Sequence, residues 1–202
     1  MAMQPAYAPP PPQKQGFPVW AIVLIAIGGV AVIVVGIAVA LALYGTRRYI
    51  ASAKTAEAKN VIGAVSRGAV AAYERETMVG GSVKHELCSS ATPVPSSILM
   101  VRGKKYQPNT SPGSDFDAGS TSQGWRCLKF MMTHPMYYQY HYNKGGGYIA
   151  GAGAPGANGF EAAAQGDIDA DGVKSTFART GQVTPSGDLR LATTIYIDNE
   201  FE

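Results

Sequence analysis

An uncharged apolar run near the start constrains this chain more than any other feature. The residues from Val19 to Tyr44 are apolar throughout, and no Asp, Glu, Lys or Arg occurs between Lys14 and Arg47. As a helix rising about 1.5 Å per residue, Val19–Tyr44 would reach roughly 39 Å, enough to cross a bilayer. The run passes without a Gly-Pro break into an Ala-rich helical stretch reaching about Glu76. A membrane-inserted protein is expected on this ground alone.

The segments on either side sharpen that expectation. Residues 1–16 (MAMQPAYAPPPPQKQG) carry four consecutive prolines, Pro9 to Pro12. Such a leader favours polyproline II, has nothing to bury, and reads as disordered. It is unlike a secretory signal, because the basic n-region is nearly absent and the apolar stretch is about twice the usual length. The transmembrane half of the helix is placed at residues 17–46 and an amphipathic half at 47–80. In the latter, Ile50, Ala53, Val61, Val65, Ala69 and Tyr73 form one apolar stripe, and Gly80-Gly81 supplies the stop.

Residues 81–202 read as a globular, β-rich head. The stretch 88–124 is rich in Ser, Pro, Gly and Asn and is expected to be an irregular connection. Trp125 to Tyr142 gives the strongest strand signal, divided by Pro135 into two strands. In the second, Tyr138, Tyr140 and Tyr142 share one face, with Tyr137, Gln139 and His141 on the other. Phe160–Gln165, Ser175–Arg179 and a terminal Leu189–Ile197 complete a small antiparallel sheet. The fold class is therefore α+β: a long N-terminal helix packed on a β-sheet head.

The chain has two cysteines, Cys88 and Cys127, with no C-x-x-C spacing. Beyond a membrane span they favour one disulfide in an oxidising compartment, closing a loop of about 40 residues and contributing roughly 4 kcal/mol. Two buried thiols in a reducing compartment are the other reading. Charge counting points to that second compartment: Arg47, Arg48, Lys54 and Lys59 follow the span while Lys14 stands alone before it, which the positive-inside rule would read as a cytoplasmic head.

Little in the sequence suggests catalysis. Asp167-Ile-Asp169-Ala-Asp171-Gly172 has the D-x-D-x-D-G form of a calcium loop, and calcium is the one cofactor raised. The twelfth position from Asp167 is Ala178, so the closing bidentate Glu is missing and a polar turn competes with the metal reading. His85, His134 and His141 are scattered, and no H-E-x-x-H, nucleophile elbow or P-loop occurs. No acid/base or nucleophile set converges, so no enzyme is expected. A net charge of +3 with 15% charged residues, mostly scattered, argues against a nucleic-acid partner.

The order of parts resembles a type IV pilin or pseudopilin, of the kind found in deltaproteobacteria and notably myxobacteria. The resemblance rests on Lys14-Gln15-Gly16-Phe17, the span to Tyr44, RRYIASAKTAEAKN after it, FEAAAQGDIDADGVKSTFARTG, and the closing IYIDNEFE. It implies cleavage after Gly16 by a prepilin peptidase and methylation of the new amino terminus at Phe17. It further implies an inner-membrane anchor, a periplasmic head, and extraction by an assembly platform into a filament whose partners are other pilin-like helices. An apolar helix can exchange lipid for neighbouring helices with little loss of burial. This chain has Ala21 where major pilins carry a Glu, Pro18 directly after Phe17, and Ala38 where many have a kinking proline. The departures favour a minor subunit of a pilus or secretion pseudopilus. The alternative is an uncleaved single-pass protein whose periplasmic head binds calcium or a partner.

Overall fold

The computed structural model describes residues 16, 18–75, 77–79, 82–150, 153 and 155–202. The leader to Gln15, Phe17 and the Gly80-Gly81 stop lie outside them. The chain divides into two units, Met1–Arg48 and Tyr49–Glu202. Helix α1 (Val19–Glu74) contributes to both. Pro18 stands just ahead of it, where a fixed φ and a missing N–H cost nothing, and its carbonyl accepts the Ala21 N–H at 2.9 Å. In the first unit the aliphatic side chains of α1 are exposed, from Val19 (76%) through Val32 (73%) to Leu43 (58%). The helix is long and apolar enough to cross a membrane, and none of its most hydropathic window is buried within the protein.

In the second unit the buried positions of α1 are Thr55, Ala58, Val61, Ile62, Gly63, Val65, Ser66, Ala69, Ala72 and Tyr73. Their spacing of three or four residues is that of one helical face. Ile50 and Ala53, expected on this stripe, are instead exposed. Thr55 and Ser66 are tolerated inside because each hydroxyl donates to a carbonyl of the preceding turn, Ser52 O at 3.0 Å and Ile62 O at 2.7 Å.

The helix ends at Glu74, short of the expected stop at Gly80-Gly81. Thr77–Val79 (β1) and Ser82–Lys84 (β2) pair as an antiparallel hairpin, with Val79 opposite Ser82. Both arms contain β-branched residues, which favour a strand over a continued helix.

A six-stranded antiparallel sheet forms the rest of the head. It comprises β3 (Ala91–Val94), β4 (Gln139–Lys144), β5 (Gly159–Gly166), β6 (Ser175–Val183), β7 (Leu189–Leu191) and β8 (Tyr196–Asp198). The order is β3-β4-β5-β6-β7, with β8 also on β6. The α+β layout of a long helix and a small antiparallel sheet is therefore present. Tyr140 faces Ala164 and Tyr142 faces Ala162 across β4–β5. These residues, with Tyr138, Phe160 and Phe177, are buried in one cluster with Ala58, Ile62, Val65 and Ala69 of α1. Small residues opposite large rings let the layers interdigitate, and each fully buried Ile or Phe adds about 1.5–3 kcal/mol.

Three sequence expectations need correction. Trp125 does not begin a strand: Gly124–Leu128 is a short helix (α2), stopped by Lys129 at φ 50°. Trp125 and Leu128, three apart, are both buried there, and Trp125 donates its indole N–H to Thr92 O at 2.8 Å. That tryptophan is one of the contacts behind β3, which lies in the stretch expected to be irregular. The expected terminal strand is two strands: Gly181 faces Leu191 but Ala178 faces Tyr196, so two extra residues bulge out between β7 and β8. Arg179 holds the bulge by donating Nε–H to Ala192 O at 3.0 Å.

Gly68 of α1 lies where the helix meets α2. A Cβ at this position would sit 2.5 Å from the backbone oxygen of Leu128, whereas one at Gly63 would meet only Arg67 Nη1 at 3.5 Å. Gly68→Ala is expected to destabilise the protein by about 1–3 kcal/mol. Gly63→Ala should be neutral or stabilising by up to about 1 kcal/mol. Equal melting temperatures for the two variants would contradict this packing.

Candidate functional site

Of the residues singled out in the sequence, the structure brings two groups together. Cys88 and Cys127 form a disulfide with Cα atoms 5.9 Å apart, both buried. It joins the segment leading into β3 to α2. Beside it is a cleft of about 410 Å3 lined by Arg75, Glu86, Ser89, Thr121, Ser122 and Lys144 among others. Its two cations are occupied structurally, Arg75 on Cys127 O and Lys144 on Leu87 O. The cleft thus holds the fold together more visibly than it offers chemistry.

The second group is Asp167, Asp169 and Asp171, on the loop that joins β5 to β6 directly after Gly166 pairs with Ser175. One oxygen from each carboxylate lies within 4.8 Å of the others. Asp167 is buried and the other two are exposed. Asp167 Oδ2 pairs with Arg102 Nε at 3.0 Å and accepts the Gly172 N–H at 3.2 Å. Asp169 accepts the Asp171 N–H, and Asp171 the Val173 N–H. These three residues fit an oxygen-liganded divalent ion. Ala178, at the closing position, is a buried β6 residue paired with Ala163 and can supply no carboxylate.

Gly16 is exposed ahead of α1, while Phe17, the other half of the expected cleavage junction, lies outside the described residues. The histidines do not converge. His134 is exposed, and His85 Nδ1 is 3.0 Å from Tyr73 O. His141 is buried on the sheet face opposite the tyrosines, its Nε2 3.1 Å from Gln139 Oε1, and Gln139 donates onward to Pro95 O at 2.7 Å.

Sequence reasoning missed four charged groups. Glu57 of α1 accepts the Tyr137 N–H at 2.9 Å and the Tyr140 hydroxyl at 3.0 Å, tying helix to sheet. Burial pushes its carboxyl above the usual range, against the downward pull of those two bonds and of Lys105. Glu161, buried on β5 opposite Asn143, accepts the N–H groups of Ile149 and Ala150 at 2.7 and 3.0 Å. Arg102 and Glu202 stand near the acidic loop. Nothing in local spacing marks them, because their partners are distant in sequence. No protein-family model, curated protein or solved structure matches the chain.

Burial lowers the His141 pKa to about 4, against about 6.5 in an unfolded chain. Between those values the unfolded chain takes up a proton that the fold refuses. Stability from the neutral ring is therefore complete above about pH 6.5 and declines toward pH 4, by on the order of 3 kcal/mol. Glu57, raised in the fold, acts in the opposite sense, so the informative quantity is a difference. The melting temperature of the full chain in detergent should fall more steeply between about pH 6.5 and 4 than that of His141→Gln. Parallel profiles would refute the assignment.

Proposed function

We propose that this chain is a structural, non-enzymatic subunit of a type IV pilus or a related secretion pseudopilus, more suited to a minor than a major position. The observation that carries the reading is the character of α1. Up to Tyr44 its aliphatic side chains are exposed and uncharged, and beyond Thr55 one face of the same helix is buried under an antiparallel sheet. Exposed aliphatic surface of that extent requires lipid or other apolar helices around it. A helix serving both environments in turn suits a subunit that starts in a membrane and ends in a filament core.

Further features support this reading. The buried Cys88–Cys127 disulfide suits an oxidising compartment such as the periplasm, in preference to the orientation suggested by Arg47 and Arg48. The Lys14-Gln15-Gly16-Phe17 junction precedes α1 where a prepilin peptidase would act. Ala21 leaves the helix without a charge to pair with a neighbouring amino terminus, which favours a minor subunit. The partners on this account are inner-membrane lipid first, then other pilin-like helices, with a peptidase and an assembly platform between.

Processing decides between this and an uncleaved, membrane-anchored head. Intact mass and N-terminal sequencing of native protein should find a chain beginning with methylated Phe17, present in sheared surface filaments. Gly16→Leu should leave the full-length precursor in the membrane. A native chain that still begins near Met1 and never leaves the membrane fraction would overturn the pilus reading in favour of the anchored module.

A further inference from the structure

We infer that the β5–β6 loop is a divalent-cation site of the oxygen-liganded, calcium-preferring class, formed by Asp167, Asp169 and Asp171. The inference is independent of the pilus reading. It starts from Asp167, whose residue is only 4% exposed and whose Oδ1 has no hydrogen-bond partner among the described residues. Its other oxygen is already taken by Arg102 and Gly172. A buried carboxylate oxygen left without a partner carries an uncompensated desolvation cost. A bound cation removes that cost, and Oδ1 is the oxygen free to meet one.

The surrounding geometry suits the same ion. Oxygens bound to one calcium at about 2.3–2.6 Å lie at most about 5 Å apart. The three carboxylates already meet that limit. The loop is held in this form from outside the cluster: Arg102 donates to Ala170 O at 2.8 Å, and the Gly103 N–H to Asp167 O at 2.8 Å. Gly172, at φ 99°, takes the turn that follows Asp171.

Charge points the same way. Asp198 of β8 faces Thr176 of β6, which brings the segment ending at Glu202 to this end of the sheet. Asp198 and Glu202 of that segment carry the same sign as the three loop aspartates, against Arg102 and Lys174, which line the small cleft beside Asp167. With Ala178 in place of a bidentate Glu, affinity should fall in the weak range of extracellular modules, on the order of 0.1–1 mM.

The test uses the full chain in detergent, stripped with a chelator and titrated with calcium chloride at constant ionic strength. Calorimetry should show saturable binding of one ion at about 0.1–1 mM, with the melting temperature rising over the same range. Magnesium should bind at least about tenfold more weakly, because it demands a tighter octahedron. Asp169→Asn/Asp171→Asn should lose both responses while keeping the metal-free melting temperature, since both side chains are exposed. No saturable heat and no thermal shift by about 10 mM calcium would overturn the proposal. So would equal responses to magnesium, or a double variant that still binds.

Discussion

Small side chains on one face of α1 share a single buried cluster with the tyrosine rings of Tyr138, Tyr140 and Tyr142. The remainder of the head is arranged around that cluster. Ala162 and Ala164 on β5 leave room for the rings, and Phe160 and Phe177 close the gaps, with Tyr138 edge-on to Phe177 at 5.7 Å. Glu57 then fixes the helix against the sheet by accepting from both Tyr137 and Tyr140. Because the carboxylate is charged, these bonds are stronger than neutral ones and set the register as well as the distance. The fully buried aromatic rings make substitution here costly, as removal of a buried aromatic typically costs about 3–5 kcal/mol.

The opposite face of the sheet is closed by polar means. Glu161 gathers two loop amides, and His141, Gln139 and Pro95 form a short relay. Those groups stay satisfied only while the loops remain in place. The helix side of the sheet is thus mostly apolar, with Glu57 as its charged tie, and the other side carries Glu161 and the His141–Gln139 pair. The acidic loop lies at one end of the β5–β6 pair, where its ion pair with Arg102 ties two distant segments together.

Much of this was readable from local pattern. The apolar run, β5 and β6, and the alternation that turns Tyr138, Tyr140 and Tyr142 inward follow from period and composition. The misreadings share a cause: a distant contact outweighed local preference. Trp125-Arg126-Cys127-Leu128 is β-favouring by composition, yet the indole bond to Thr92 and the disulfide to Cys88 hold it as a helical turn. Leu189–Ile197 reads as one strand, and only Arg179 reaching to Ala192 shows why it is two. At the acidic loop the motif itself was legible, whereas Arg102 and Glu202 were not, since they lie far from it in the chain.

On the proposed pilus reading, the exposed part of α1 is covered by its counterparts in other subunits. Single cysteines placed in turn through Val19–Tyr44 test it directly, because the chain's own two cysteines are already paired. In sheared surface material the account predicts oxidised dimers whose yield rises and falls with helical period. No cross-linking at any position there, with reactivity only toward lipid-phase reagents in the membrane, would contradict it.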